Sequence, residues 1–136
     1  MILKLKNNKI SFYKIIQSLS IDVIIGVIAS ALFACKILDL PINFVWLVIL
    51  ALSTWSLYTA DHLIDGYKWK NKAVIFRHEF HYKYFTILTI LAVTSGIIAL
   101  VLSLIFFDNK LILYGLILFF ITLLYFTVLF LINKPK

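Results

Sequence analysis

The segment Leu57–Tyr84 reads Leu-Tyr-Thr-Ala-Asp-His-Leu-Ile-Asp-Gly-Tyr-Lys-Trp-Lys-Asn-Lys-Ala-Val-Ile-Phe-Arg-His-Glu-Phe-His-Tyr-Lys-Tyr. It holds three of the six acidic residues, five of the thirteen Lys and Arg residues, and all three histidines. The apolar sequence on each side of it is long enough to cross the ~30 Å hydrocarbon layer of a bilayer. This pattern indicates a membrane protein whose polar chemistry is concentrated in one place.

The composition of the whole chain favours the same class. Of its 136 residues, 63% are hydrophobic, and the mean hydropathy is +1.04. A soluble domain is about half apolar, and a chain this short cannot bury the excess in one core because its surface-to-volume ratio is high. We therefore expect an integral membrane protein in contact with lipid, in a bacterial inner (cytoplasmic) membrane.

The positive charge of the chain has a simpler interpretation than nucleic-acid binding. The net charge is +7, but charged residues are only 14% of the chain and lie between apolar runs. Because Lys and Arg are retained on the cytoplasmic side of a membrane, we interpret them as topology determinants and expect no nucleic-acid partner. The single cysteine, Cys35, excludes a disulfide within the chain.

The apolar runs predict an all-α fold: one domain over residues 1–136, formed by four transmembrane helices in an antiparallel bundle. The predicted helices cover residues 15–38, 41–65, 82–107 and 111–132, with a polar loop at residues 66–81. Eleven Lys and Arg residues lie on the side of this loop and the two termini, whereas only Lys36 and Lys110 lie on the other side. This bias predicts that the loop and both termini are cytoplasmic.

The first predicted helix leaves two questions open. Its basic start resembles a signal peptide, but Leu32-Phe-Ala-Cys is a poor cleavage site and three apolar runs follow, so we expect a retained helix. Asp22 is either a functional carboxylate at membrane depth or a headgroup-level residue near the helix start. As an intramembrane relay, Asp22 would suit a small transporter or channel.

The acidic residues of the central segment are candidate metal ligands. Asp61 and Asp65 are spaced i, i+4, so a helix carries both carboxylates on one face. A cation would offset their repulsion, and Mg²⁺ is commonly held by one or two carboxylates together with substrate phosphates. We therefore expect Mg²⁺ at Asp61 and Asp65.

The basic residues that follow are candidate phosphate ligands. Arg77 and His81 share one face if a helix begins at Phe76, and Arg suits bidentate phosphate binding. Acidic and basic helix ends facing each other suit a diphosphate bridged by metal, with its hydrophobic tail between helices. The candidate substrate-binding residues are Lys68, Lys72, Arg77 and His81.

Two other interpretations of these residues remain. The two aspartates could simply pair with Lys68, Lys72 or Arg77 and finish a helix end at the headgroups. Alternatively, the three histidines could form a metal site, although their spacing matches no familiar zinc pattern. That site would use His62, His78 and His81.

The pattern Asp61-His-Leu-Ile-Asp65-Gly, followed by a basic loop and Arg77, resembles the first half of the UbiA-type intramembrane prenyltransferases. Those enzymes are all-helical and carry an N-D-x-x-D-x-x-x-D motif at this place, whose carboxylates hold Mg²⁺ on a prenyl diphosphate. The resemblance implies that Asp61 and Asp65 correspond to the second and third aspartates, and Arg77 to a phosphate-binding loop arginine.

The chain also departs from that family. Leu57 and Tyr58 occupy the positions of the motif's Asn and first Asp, and His78 occupies that of the proline after the loop arginine. Family enzymes have about twice as many helices and a second aspartate-rich motif. The resemblance therefore implies that prenyl transfer would need a second acidic site, from a homodimer or a separate second-half partner.

Two functional hypotheses follow from different classes. The chain is either a UbiA-like prenyltransferase half-site that binds a prenyl diphosphate through Mg²⁺, or a non-catalytic four-helix membrane protein. In the second case, a subunit or remnant of a larger enzyme would bind anionic lipid or a partner through its charged loop. Dependence on metal distinguishes the two.

Overall fold

The computed structural model describes residues 12–69 and 76–132, and every element within these ranges is an α-helix. The helices are α1 (Phe12–Ser18), α2 (Ile21–Ile37), α3 (Phe44–Trp69), α4 (Phe76–Lys83), α5 (Phe85–Phe106) and α6 (Asn109–Ile132). Three segments are long and apolar enough to cross a membrane: Phe44–Tyr67, Phe85–Phe106 and Asn109–Val128. The predicted all-α class is confirmed, and the helices are those of an integral membrane protein.

The first predicted helix, residues 15–38, is divided in the structure into α1 and α2. The division lies at Leu19 and Ser20, where Ser20 adopts a left-handed conformation with φ 56°. The indole N–H of Trp55 on α3 donates a 3.0 Å hydrogen bond to the Leu19 carbonyl, which stabilises the break. Since α2 has 17 residues, or about 26 Å at 1.5 Å per residue, a fourth full span remains a prediction.

The second predicted helix, residues 41–65, is shifted toward the C-terminus. Helix α3 begins at Phe44 because the side chain of Asn43 caps it: Asn43 Oδ1 accepts a 2.9 Å hydrogen bond from the Val45 N–H. An Asn at this position supplies an acceptor that Pro41 lacks. The helix continues to Trp69, so the two candidate aspartates lie inside it rather than at or beyond its last turn.

Much of the predicted loop at residues 66–81 is helical, which also changes the start of the third predicted helix. The residues from Phe76 to Lys83 form the short helix α4, and only Tyr84 separates α4 from α5. At the junction, the Tyr84 N–H donates to the Phe80 carbonyl at 3.0 Å and the Leu88 N–H donates to the Tyr84 carbonyl at 2.9 Å. Hydrogen bonding is therefore nearly continuous from α4 into α5.

Helices α3 and α5 form an antiparallel pair that holds most of the core. Ser56 Oγ on α3 donates to the Ala92 carbonyl at 2.9 Å, and Ser95 Oγ on α5 donates to the Leu52 carbonyl at 3.1 Å. Small residues allow two helices to approach closely enough for such bonds. The buried apolar residues of the core are Ile49, Leu63, Leu88, Ala92 and Ala99.

Helix α6 is different, because it makes only marginal contact with the other described helices. None of its membrane-spanning stretch is buried. Its first turn borders an apolar cavity of about 390 Å³ between α2 and α3. Residues that line this cavity include Ala31, Cys35, Trp46, Ile49, Phe107 and Leu111. The antiparallel four-helix bundle, with its cytoplasmic termini, therefore stays a prediction.

Candidate metal and phosphate site

Three potential metal ligands meet on α3, two turns before its end. Asp61, His62 and Asp65 each offer one ligand atom, and these atoms all lie within 4.8 Å of one another. His62 Nδ1 is 3.9 Å from Asp61 Oδ2. The i, i+1, i+4 spacing on a helix produces this grouping, which we call the α3 cluster.

The imidazole of His62 is the buried member of the α3 cluster. His62 is only 6% exposed, whereas both aspartates are partly exposed. Within the described residues, His62 Nδ1 is buried and has no hydrogen-bond partner. A buried polar atom without a partner costs about 1–3 kcal/mol, and such atoms are commonly satisfied by water or an ion. The arrangement therefore favours a bound cation or water at Nδ1.

Gly66 allows α4 to pack closely against α3 beside this cluster. A Cβ atom at Gly66 would lie 3.0 Å from the His78 carbonyl oxygen and 3.2 Å from His81 Cβ. Almost any other residue would push α4 outward. The rings of His62 and His81 consequently meet edge to face across the α3–α4 contact, with centroids 5.2 Å apart.

His81 is a buried, oriented imidazole. It is 1% exposed, and its Nδ1 lies 2.9 Å from the Arg77 carbonyl oxygen. Because a carbonyl can only accept, Nδ1 is assigned as the donor. Burial lowers the pKa of His81, the hydrogen bond to Arg77 raises it in part, and the positive charges of Arg77 and His78 lower it further. Burial and the neighbouring positive charges therefore favour the neutral form of the His81 ring, and its role in phosphate binding stays a prediction.

Arg77 lines a second feature, a cavity of about 240 Å³ between α1 and α4. We call it the α1–α4 cavity; its lining residues are Lys14, Gln17, Ser18, Phe76 and Arg77. Among the described residues, two cationic side chains and no acidic one line it, and Arg77 Nε is buried there without a hydrogen-bond partner. These features suit an anionic group. Sequence reasoning assigned Lys14 to topology alone and did not connect it to Arg77.

The α3 cluster and the basic helix α4 form one electrostatic environment. Arg77, His78 and His81 all lie within electrostatic range of His62, as does Asp22 in the first turn of α2. Asp22 is exposed at the start of its helix, and its depth in the membrane stays a prediction.

Of the predicted site residues whose side chains it describes, the structure groups Asp61 and Asp65 with His62, and it places Arg77 and His81 within electrostatic range of His62. Lys72 lies outside the described residues, and for Lys68 only the backbone, in α3, is described. The three-histidine metal site is not formed among the described residues, because His62 groups with the aspartates instead. The signal for this was the Asp-His-x-x-Asp spacing itself.

The residues of the α3 cluster fit a divalent cation. Two carboxylates are suitable ligands for a hard cation such as Mg²⁺. An imidazole nitrogen is a better ligand for first-row transition metals and zinc. The donor set, two oxygens and one nitrogen, is therefore compatible with both classes.

No protein-family model matches the chain, and comparison with curated proteins and with solved structures finds no match either. The resemblance to intramembrane prenyltransferases therefore depends on the residues quoted above alone and stays an expectation.

Proposed function

We propose that this membrane protein binds the diphosphate head of a prenyl lipid through a divalent cation held by Asp61 and Asp65. The grouping of three ligand atoms within 4.8 Å carries the proposal. A carboxylate pair in contact with a phosphate-bound cation is the usual manner in which such cations join protein to substrate. Arg77 supplies positive charge from the facing helix, where the phosphates would lie.

The apolar surroundings of α3 support a lipid ligand over a soluble diphosphate. The apolar cavity beside Ile49 is twelve residues before Asp61 on the same helix, which is roughly 18 Å at 1.5 Å per residue. An extended tail of a few isoprene units has a comparable length. The head would lie at the α3 cluster, and the tail would follow α3 toward this cavity.

The orientation in the membrane is part of the same proposal. The excess of Lys and Arg around the site end of the helices supports a cytoplasmic location for the α3 cluster and both termini. The bacterial inner membrane is part of the proposal and has no separate support from the structure. Prenyl transfer would further require a second acidic site. A second copy of the chain or a separate second-half partner would supply it, and the exposed helix α6 offers an apolar surface for either.

The test is binding of farnesyl diphosphate to the purified protein in nanodiscs, with Mg²⁺ and with EDTA. We expect binding that requires the cation and that falls at least about 10-fold in the Asp61→Asn, Asp65→Asn double variant, since each carboxylate is a direct ligand. Asp108→Asn is the matched control, because Asp108 lies between α5 and α6 at the other end of the helices. Binding that is unchanged by EDTA and by the double variant rejects the proposal.

A second candidate function is supported by the α1–α4 cavity. Lys14 and Arg77 line it, and none of its described lining residues is acidic, so a non-catalytic protein could hold an anionic lipid headgroup there. This alternative predicts salt-sensitive binding to phosphatidylglycerol vesicles, weakened by Lys14→Gln, with no response to EDTA. The farnesyl diphosphate experiment distinguishes the two candidates directly.

A further inference from the structure

We propose that the cation of the α3 cluster is a first-row transition-metal ion, in the range from Mn²⁺ to Zn²⁺, bound by His62 Nδ1 together with Asp61 and Asp65. This inference rests on the proposed cation site and assigns its third ligand and its metal class. The family resemblance implies Mg²⁺, whereas the ligand set found on α3 contains a nitrogen.

The burial and isolation of His62 Nδ1 are the main support. This nitrogen is buried and has no hydrogen-bond partner among the described residues, and the whole His62 residue is only 6% exposed. It lies 3.9 Å from Asp61 Oδ2, and one of the two nitrogens of the His62 ring lies within 4.8 Å of a carboxylate oxygen of each aspartate. A ring nitrogen positioned in this way is satisfied by a metal ion that the two carboxylates also bind.

The orientation of the ring is set by packing. The edge-to-face contact with His81 limits rotation of the His62 ring. His81 is itself anchored, since its Nδ1 is bonded to the Arg77 carbonyl at 2.9 Å. Metal-binding histidines depend on such outer partners to fix the ring. His81 is therefore a positioning residue for the site.

The preference for a transition metal follows from the ligand chemistry. Imidazole nitrogen binds Zn²⁺ and its first-row neighbours well, whereas Mg²⁺ favours carboxylate, carbonyl and water oxygens. Mg²⁺ also requires near-ideal octahedral geometry and keeps several waters. One nitrogen among three ligands therefore shifts selectivity away from Mg²⁺.

The experiment uses Mn²⁺ as the probe, on the full chain in nanodiscs. Pulsed EPR of bound Mn²⁺ reports directly coordinated nitrogen, and Mg²⁺ affinity is measured by its displacement of Mn²⁺. We expect nitrogen coupling in the wild type, and Mn²⁺ binding at least about 10-fold tighter than Mg²⁺ binding. His62→Gln should abolish the coupling and weaken Mn²⁺ about 10-fold or more, since even outer partners of metal ligands contribute 10- to 100-fold. Mg²⁺ affinity should change less than about 3-fold, because its carboxylate ligands remain.

His78→Gln is the matched control, because His78 Nδ1 is also buried without a partner but is not part of the α3 cluster. This variant should keep both the coupling and the affinity. If the wild-type protein binds Mn²⁺ without nitrogen coupling, the inference is overturned and the proposed function is left intact. This measurement does not require any variant to fold. Nitrogen coupling without any binding of farnesyl diphosphate supports the metal assignment and rejects the proposed function.

Discussion

The imidazole rings of His62 and His81 lie 5.2 Å apart, centroid to centroid, at an interplanar angle of 71°. One ring belongs to the acidic α3 cluster and the other to the basic helix α4. This contact joins the two oppositely charged parts of the candidate site within the folded chain. It depends on how closely α4 approaches α3, and therefore on Gly66.

Replacing Gly66 by alanine should loosen the site. The new Cβ would lie 3.0 Å from the His78 carbonyl oxygen, so α4 must move outward. Overpacking of this kind costs about 1–3 kcal/mol, against a gain of about 1 kcal/mol in helix propensity. We expect Gly66→Ala to lower the melting temperature in detergent, followed by circular dichroism, and to weaken Mn²⁺ binding.

Gly26→Ala is the control for this change, since a Cβ at Gly26 meets nothing within 4 Å. That variant should be as stable as the wild type or more so, with unchanged Mn²⁺ binding. Equal behaviour of the two alanine variants would contradict the close α3–α4 approach.

The α3–α5 pair should be sensitive to a single methyl group at Gly96. A Cβ there would lie 2.9 Å from Ser56 Oγ, which donates to the Ala92 carbonyl. Gly96→Ala should displace this hydroxyl at a cost of about 1–3 kcal/mol, of which about 1 kcal/mol is offset by helix propensity. Gly115→Ala, on the exposed helix α6, meets nothing within 4 Å and should not destabilise the protein. Chemical unfolding in detergent compares the stabilities of the two variants. A Gly96→Ala variant as stable as Gly115→Ala would show that α3 and α5 do not pack this closely.

The break between α1 and α2 should depend on the indole N–H of Trp55. Trp55→Phe keeps an aromatic ring but leaves the Leu19 carbonyl without its 3.0 Å donor. A part-buried acceptor that loses its partner costs about 1–3 kcal/mol. We expect a lower melting temperature and faster proteolysis between α1 and α2.

Trp46→Phe provides the comparison. Trp46 is 45% exposed and makes an edge-to-face contact with Phe107, so its substitution should have a smaller effect. A Trp55→Phe variant no less stable than Trp46→Phe would argue that the Leu19 carbonyl has another donor.

The buried ring of His81 should make stability depend on pH. Burial, with the nearby charges of Arg77 and His78, lowers the pKa of His81 below its ordinary value of 6.5. The unfolded chain therefore binds a proton at a higher pH than the folded protein does. The contribution of neutral His81 to the free energy of unfolding is fully present above pH 6.5 and is lost as the pH falls from there through the folded-state pKa. For one proton, this loss is at most about 1.4 kcal/mol per pH unit.

Unfolding free energies measured between pH 5 and pH 8 test this expectation. His81→Gln should reduce the loss of stability on acidification, whereas His78→Gln should leave most of it. A pH dependence that is identical in the wild type and in His81→Gln would show that His81 does not contribute.

The candidate site was only partly predictable from the sequence. The spacing of Asp61 and Asp65 was sufficient to predict a shared helix face, because helical periodicity is local. The proposed role of His62 as a metal ligand could not be predicted from the sequence, since it depends on burial of its Nδ1 against α4. The meeting of Lys14 and Arg77 was also beyond the sequence, because it requires α1 to fold back along α4.

The same division applies to the fold. Amino-acid order alone establishes the all-helical class and the membrane environment, because length and hydropathy of a segment are local properties and lipid leaves the backbone few alternatives to a helix. Packing between helices establishes the rest. The break at Ser20 is held by Trp55, and α4 reaches its position because Gly66 has no side chain. Such contacts join residues far apart in the chain, and no local pattern of hydropathy or charge encodes them.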